Sequence, residues 1–69
     1  METLEISMNG RPLQCPSHHS LHDLLARMGL AGKRLAVECN GAIVPKSAYA
    51  AIALAQGDRL EIVVAVGGG

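Results

Sequence analysis

Leu4-Glu5-Ile6-Ser7-Met8, then Asn9-Gly10, then Leu13-Gln14-Cys15-Pro16, sets the topology from which the rest of the chain is read. Apolar and polar residues alternate with period two through Met8, the pattern of a half-buried strand. Asn-Gly is a strong hairpin signal because both residues tolerate the positive φ of a type I′ turn. Leu13 and Cys15 resume the alternation, and Pro16, which has no N–H to give a ladder, is expected to stop it. Residues 4–15 are therefore predicted to form a β-hairpin.

Working outward, a helix is predicted over residues 21–28. Ser20 is a suitable N-cap, and Asp23 three residues on resembles the acidic partner of a capping box. Leu21, Leu24, Leu25 and Met28 recur at i, i+3, i+4 and i+7, one apolar stripe, and Gly29 stands where a left-handed C-terminal residue belongs. Leu35, Val37 and Cys39 alternate with Ala36 and Glu38 as a third strand. Asn40-Gly41 turns the chain into a brief strand, Ala42-Ile43-Val44, ended by Pro45. Residues 47–55 read as a short helical or 3₁₀ crossover, with Ile52 or Leu54 reaching the core. After a Gly57-Asp58 turn, Leu60, Ile62, Val64 and Val66 line one face of a final strand, and Arg59, Glu61, Val63 and Ala65 the other.

A hairpin, a helix, a strand pair, a crossover and a last strand make an α+β domain, a mixed sheet of four to five strands packed on one helix. That order is the ubiquitin-like β-grasp. The expected division is a β-grasp domain at residues 1–66 and a flexible Gly67-Gly68-Gly69 tail. With 69 residues, 49% apolar, and Tyr49 the one aromatic, the core is expected to be aliphatic. A chain this short buries only about 60% of its unfolded surface, which leaves little room for an enclosed catalytic cavity.

Six basic residues balance six acidic ones without blocks of either sign, unlike the basic stripe of a nucleic-acid binder. The apolar runs fall short of the roughly 20 residues that span a bilayer, and the acidic start Met1-Glu2-Thr3-Leu4-Glu5 is unlike a signal peptide. No nucleic-acid partner, no membrane partner and a cytoplasmic location are the expectations. Cys15 and Cys39 form no CxxC pair and are expected to be free thiols serving as small core hydrophobes. His18, His19 and His22 invite a metal hypothesis. Two of them precede the N-cap, however, so solvated histidines and no metal site are expected.

The chemistry is expected at the end of the chain. Three glycines following a strand cannot pack on a core and lose the most entropy if ordered. Without Cβ atoms they can thread a narrow tunnel and offer an uncrowded carboxylate. A carboxylate resists nucleophiles, but an acyl adenylate carries a good leaving group that a sulfur nucleophile can displace. Such a carrier needs no acid, base or nucleophile of its own, and no catalytic constellation is evident here. Terminal glycines alone would equally suit a flexible end or a cloning scar. Here they continue a β-grasp strand with no tag or Ser-rich linker around them. Val63 and Ala65, apolar on the face away from the core, are a candidate docking surface beside the tail.

Ala36-Val37-Glu38-Cys39-Asn40-Gly41-Ala42-Ile43-Val44-Pro45-Lys46, Gly57-Asp58-Arg59-Leu60-Glu61-Ile62-Val63 and Val66-Gly67-Gly68-Gly69 together resemble the sulfur carrier proteins of thiamine biosynthesis, the ThiS family. The resemblance covers essentially the whole chain. It implies a non-catalytic carrier whose Gly69 bears first an adenylate and then a thiocarboxylate. Gly67 and Gly68 would be the tail entering partner active sites. The implied partners are a ubiquitin-activating-enzyme-like adenylyltransferase using ATP and Mg, a cysteine desulfurase as sulfur source, and thiazole synthase as acceptor. No cofactor is implied to stay bound to the carrier. Lys46 stands where the family commonly has Arg, which keeps the charge but not the bidentate fork. The alternatives are a carrier of the molybdopterin synthase small-subunit type, or a β-grasp interaction module without covalent chemistry.

Overall fold

Both Asn-Gly pairs make the turns their chemistry allows. Asn9 and Gly10 have φ of 51° and 83°, and Asn40 and Gly41 have 53° and 86°. The computed structural model describes residues 2–65. The first turn joins β1 (Thr3–Met8) to β2 (Arg11–Pro16), and the second joins β3 (Leu35–Cys39) to β4 (Ala42–Val44). Between the pairs lies helix α1 (Leu21–Arg27). A 3₁₀ turn (Lys46–Ala51) then leads to β5 (Arg59–Val64).

The five strands form one sheet in the order β2-β1-β5-β3-β4. The last strand in sequence is thus the central strand in space. It runs parallel to β1 and antiparallel to β3, giving the expected mixed sheet.

β2 ends at Pro16, its last residue, which lies opposite Thr3, and Pro12 within the strand lies opposite Ser7. The Ser7 N–H donates to Asp58 on the β5 side, so Ser7 and Pro12 exchange no hydrogen bonds. The nitrogens of Pro12 and, by the same parity, Pro16 face the open edge, where no ladder donor is required.

The helix has complete caps. The Ser20 N–H donates to Asp23 Oδ2 at 3.0 Å and the Asp23 N–H to Ser20 Oγ at 3.1 Å. These bonds hold the Asp23 carboxyl below the usual carboxylate range. At the other end Gly29 (φ 77°) donates to Ala26 O, and Leu30 to Leu25 O, the paired bonds of a Schellman motif. That bend takes Met28 out of the stripe. Met28 is 40% exposed, and Leu30 packs on the core instead.

The core contains Ile6, Cys15, Leu21, Leu24, Leu25, Val37, Val44, Leu54, Leu60 and Ile62, together with Tyr49. Burial of Tyr49 departs from the all-aliphatic expectation, because the 3₁₀ turn packs against α1 and brings its ring into the core. Leu54 rather than Ile52 is buried. The segment is tied to the helix start by Leu21 N–H to Ile52 O and Leu54 N–H to His19 O. Of the expected β5 stripe, Leu60 and Ile62 are buried and Val64 is 38% exposed, while Val66 lies outside the described residues.

Two carboxamides secure β5. The Asn9 N–H reaches Leu60 O at 2.9 Å. Its side chain continues the ladder, with Oδ1 accepting from Ile62 N–H at 2.8 Å and Nδ2 donating to Ile62 O at 3.1 Å. From the β3 side, the Asn40 N–H donates to Arg59 O at 2.7 Å and its Oδ1 accepts from Arg59 N–H at 2.9 Å. Asn9→Gly keeps the turn and loses both side-chain bonds, an expected cost of about 1–2 kcal/mol. Asn9→Ala adds the left-handed penalty, for about 2–3 kcal/mol in all. Urea unfolding measures both, and wild-type stability in the two variants would contradict this role.

Candidate functional site

β5 delivers the chain out of the sheet. Its register places Val64 beside Leu35, the first residue of β3, while Val37 of β3 faces Val44, the last residue of β4. The end of β5, the start of β3 and the end of β4 therefore share one end of the sheet. There the Ala65 N–H donates to Arg34 O at 2.9 Å, pinning the last described residue beside the loop that enters β3. Gly67, Gly68 and Gly69, the expected carriers of the chemistry, lie outside the described residues.

The helix covers one face of the sheet, where Leu60 and Ile62 are buried. On the opposite face Val63 is 68% exposed, and Ala65 is exposed too. Val63 pairs with Ala36, and in the next row Glu61 stands opposite Glu38, which pairs with Ile43. Ile43 is 76% exposed. Sequence reading singled out Val63 and Ala65 but passed over Ile43 and Ala36. Their strands were recognised, but only the strand order shows that they continue the face of Val63. Two carboxylates directly opposed on this face repel each other modestly.

The thiols and imidazoles are placed elsewhere. Cys15 is buried in β2 and Cys39 is half-buried in β3, and both are free. Three strand spacings separate β2 from β3, about 14 Å, too far for a disulfide. Burial pushes both thiols up; nearby Arg27 partly offsets this for Cys15, and Asp58 raises both. As neutral thiols they are poor nucleophiles near pH 7. The rings of His18 and His19 meet edge to face at 5.0 Å, and His22 is exposed on α1. Among the described residues, no three His, Cys, Asp or Glu side chains gather as metal ligands, and no helix is long and apolar enough to cross a membrane.

A mixed five-stranded sheet with the terminal strand at its centre and one covering helix defines the ubiquitin-like β-grasp class. A designed protein based on human erythrocytic ubiquitin has the same fold, at TM-score 0.53 and 17% identity, with 100% of this chain and 98% of that one covered. More narrowly, the chain belongs to the ThiS family, whose model matches residues 5–69. The crystal structure of the thiamine biosynthesis protein ThiS from Geobacter metallireducens superposes at TM-score 0.80 and 26% identity, covering 96% of this chain and all of that one. Among sequence relatives, the ycf40 protein of Pyropia yezoensis is 35% identical over 96% of this chain and 93% of its own length. A thiazole synthase of Paramagnetospirillum magneticum is 39% identical over 96% of this chain, which spans only 20% of that protein's length.

Because both thiols are sheltered and their pKa is raised, iodoacetamide at neutral pH is expected to leave Cys15 unmodified in the folded chain and to label Cys39 slowly. Both should label fully in denaturant. As pH rises past the ordinary thiol value, the unfolded state loses its protons first, so stability should fall there. Rapid native labelling of Cys15, read by intact mass, would contradict this placement.

Proposed function

We propose that this chain is a sulfur carrier in thiamine biosynthesis, and that its chemistry takes place on the carboxylate of Gly69. The observation that carries the reading is the continuity of the central strand with Gly67-Gly68-Gly69 in a chain of the ThiS family. The strand is held from both sides, so a partner that grips the domain gains a fixed origin for the tail. The domain supplies position, and the partners supply catalysis.

In this mechanism a terminal carboxylate oxygen attacks the α-phosphorus of ATP and pyrophosphate leaves. The ATP and Mg belong to a ubiquitin-activating-enzyme-like adenylyltransferase. A sulfur nucleophile originating from a cysteine desulfurase then adds to the acyl carbon, and AMP departs with the oxygen that joined it to the carrier. The resulting thiocarboxylate gives its sulfur to thiazole synthase. Glycine suits each displacement because no side chain crowds the carbonyl. The similarity of this chain to one fifth of two proteins named thiazole synthase supports the choice of acceptor, since both carry a segment resembling it within a longer chain. The poor nucleophilicity of Cys15 and Cys39 supports a carrier that uses its carboxylate rather than its thiols.

Val63 and Ala65 are the proposed docking surface, with Ile43 extending it across the open face. Exposed apolar side chains with carboxylates beside them, as Glu38 and Glu61 lie in the row next to Val63 and Ala36, have the composition of a recognition patch.

Incubation with ATP, Mg, the adenylyltransferase and a sulfur donor should raise the intact mass by about 16 mass units, sulfur for oxygen at the acyl group. A chain lacking Gly69 should gain nothing. Sulfur then passed to molybdopterin rather than thiazole would replace the pathway, and an unchanged mass would reject the carrier reading. Val63→Glu is expected to raise the adenylation KM about tenfold, roughly 1.4 kcal/mol, with little effect on unfolding. An unchanged KM would remove this face from docking.

A further inference from the structure

The end of the sheet from which β5 leaves also carries a concentration of positive charge. Lys33 and Arg34 precede β3, and Lys46 follows β4, so topology brings half of the chain's six basic side chains to that end. Two contiguous hollows, of about 130 and 250 Å³, open there. Lys33 and Lys46 border both, Arg34 borders the second, and Leu35 and Tyr49 form their common apolar floor. None of the acidic residues lines either hollow. Arg34 also accepts the hydrogen bond from Ala65, so the groove begins where the described chain ends.

We propose that this cationic groove docks an acidic protein surface around the mouth of the partner channel that receives the tail. The proposal rests on the carrier reading and adds the chemistry of the surface that the partner must present. Charge complementarity assigns the occupant. The chain as a whole has no net charge, and its carboxylates, placed elsewhere, would oppose an extended polyanion such as a nucleic acid. A local cationic rim over an apolar floor containing the one tyrosine has the anatomy of a protein interface. Because the rim flanks the exit of β5, any protein that draws the tail inward must meet it. Complementary charge there would steer encounter and orient the strand toward the channel.

The test is carrier-dependent ATP–pyrophosphate exchange by the adenylyltransferase of the same organism. Lys33→Glu with Lys46→Glu is expected to raise KM for the carrier at least tenfold at about 50 mM salt, with kcat retained. Salt near 500 mM should weaken the wild type toward the variant, as charges become screened. Lys33→Gln with Lys46→Gln should fall between the two. Arg11→Glu with Arg27→Glu makes an equal change of net charge away from the groove and from the docking face, and should leave KM within about twofold. These positions are exposed, and circular dichroism checks that each variant is folded. An unchanged KM in the groove variant, or an equal rise in the distal one, overturns the proposal while leaving the carrier reading standing. No exchange with wild-type carrier rejects that reading and the proposal with it. Inorganic pyrophosphate alone shifting the Lys33, Arg34 and Lys46 amides at submillimolar concentration would assign the groove to small polyanions and overturn the protein assignment.

Discussion

The structure depends on β5 being gripped from both sides. It is the last strand to be made and the central strand of the sheet, yet its parallel pairing with β1 is short, joining Ser7 to Arg59 and Met8 to Leu60. Beyond that point β1 turns away, and backbone alone would leave Ile62 without partners on that side. The Asn9 carboxamide supplies both a donor and an acceptor to Ile62. On the other side Asn40 bonds Arg59, and its Nδ2 reaches Asp58 Oδ1 at 3.0 Å, while Asp58 Oδ2 accepts from Ala55 N–H. The two residues that turn the hairpins thus also hold the strand that leads to the tail. Left-handed backbone and a side-chain amide are both required, which explains Asn rather than Gly at these positions.

Packing makes the grip cooperative. Leu60 and Ile62 face the helix and join a cluster with Leu21, Leu24, Val37 and Ile6. Truncating one such leucine typically costs about 2–5 kcal/mol. That is a large share of the stability available to a small domain. Capping and the Schellman motif fix where α1 begins and ends, and hence which leucines it lowers onto β5. The opposite face remains uncovered, with Val63 and Ile43 largely exposed. One strand therefore has a face devoted to stability and a face available for recognition. Residue parity along β5 decides which side chain serves which purpose.

Much of this was legible because its determinants are local. Alternation around two Asn-Gly pairs marked the hairpins, and Ser20 with Asp23 marked the helix start. Parity alone set Val63 apart from Ile62. The discrepancies are those in which distant parts of the chain decide. Pro12 is tolerated within β2 because that strand is at an edge. Met28 leaves the core because the helix bends out at Gly29, and Tyr49 enters because the 3₁₀ turn meets α1. The second role of Asn9 and Asn40 depends on β5 lying between β1 and β3. Ile43 and the cationic rim likewise acquire meaning only from strand order, since Lys33, Arg34 and Lys46 are not a charge run in sequence.

A domain whose exit strand offers no reactive side chain is proposed to act through the carboxylate of Gly69. Labelling both carboxylate oxygens of Gly69 with ¹⁸O, followed by one cycle of adenylation and sulfur transfer, tests it at the bond that matters. If that carboxylate attacks ATP, the released AMP carries one oxygen from the carrier and is heavier by about 2 mass units. AMP released without label would show that the carboxylate is not activated, and would contradict the account.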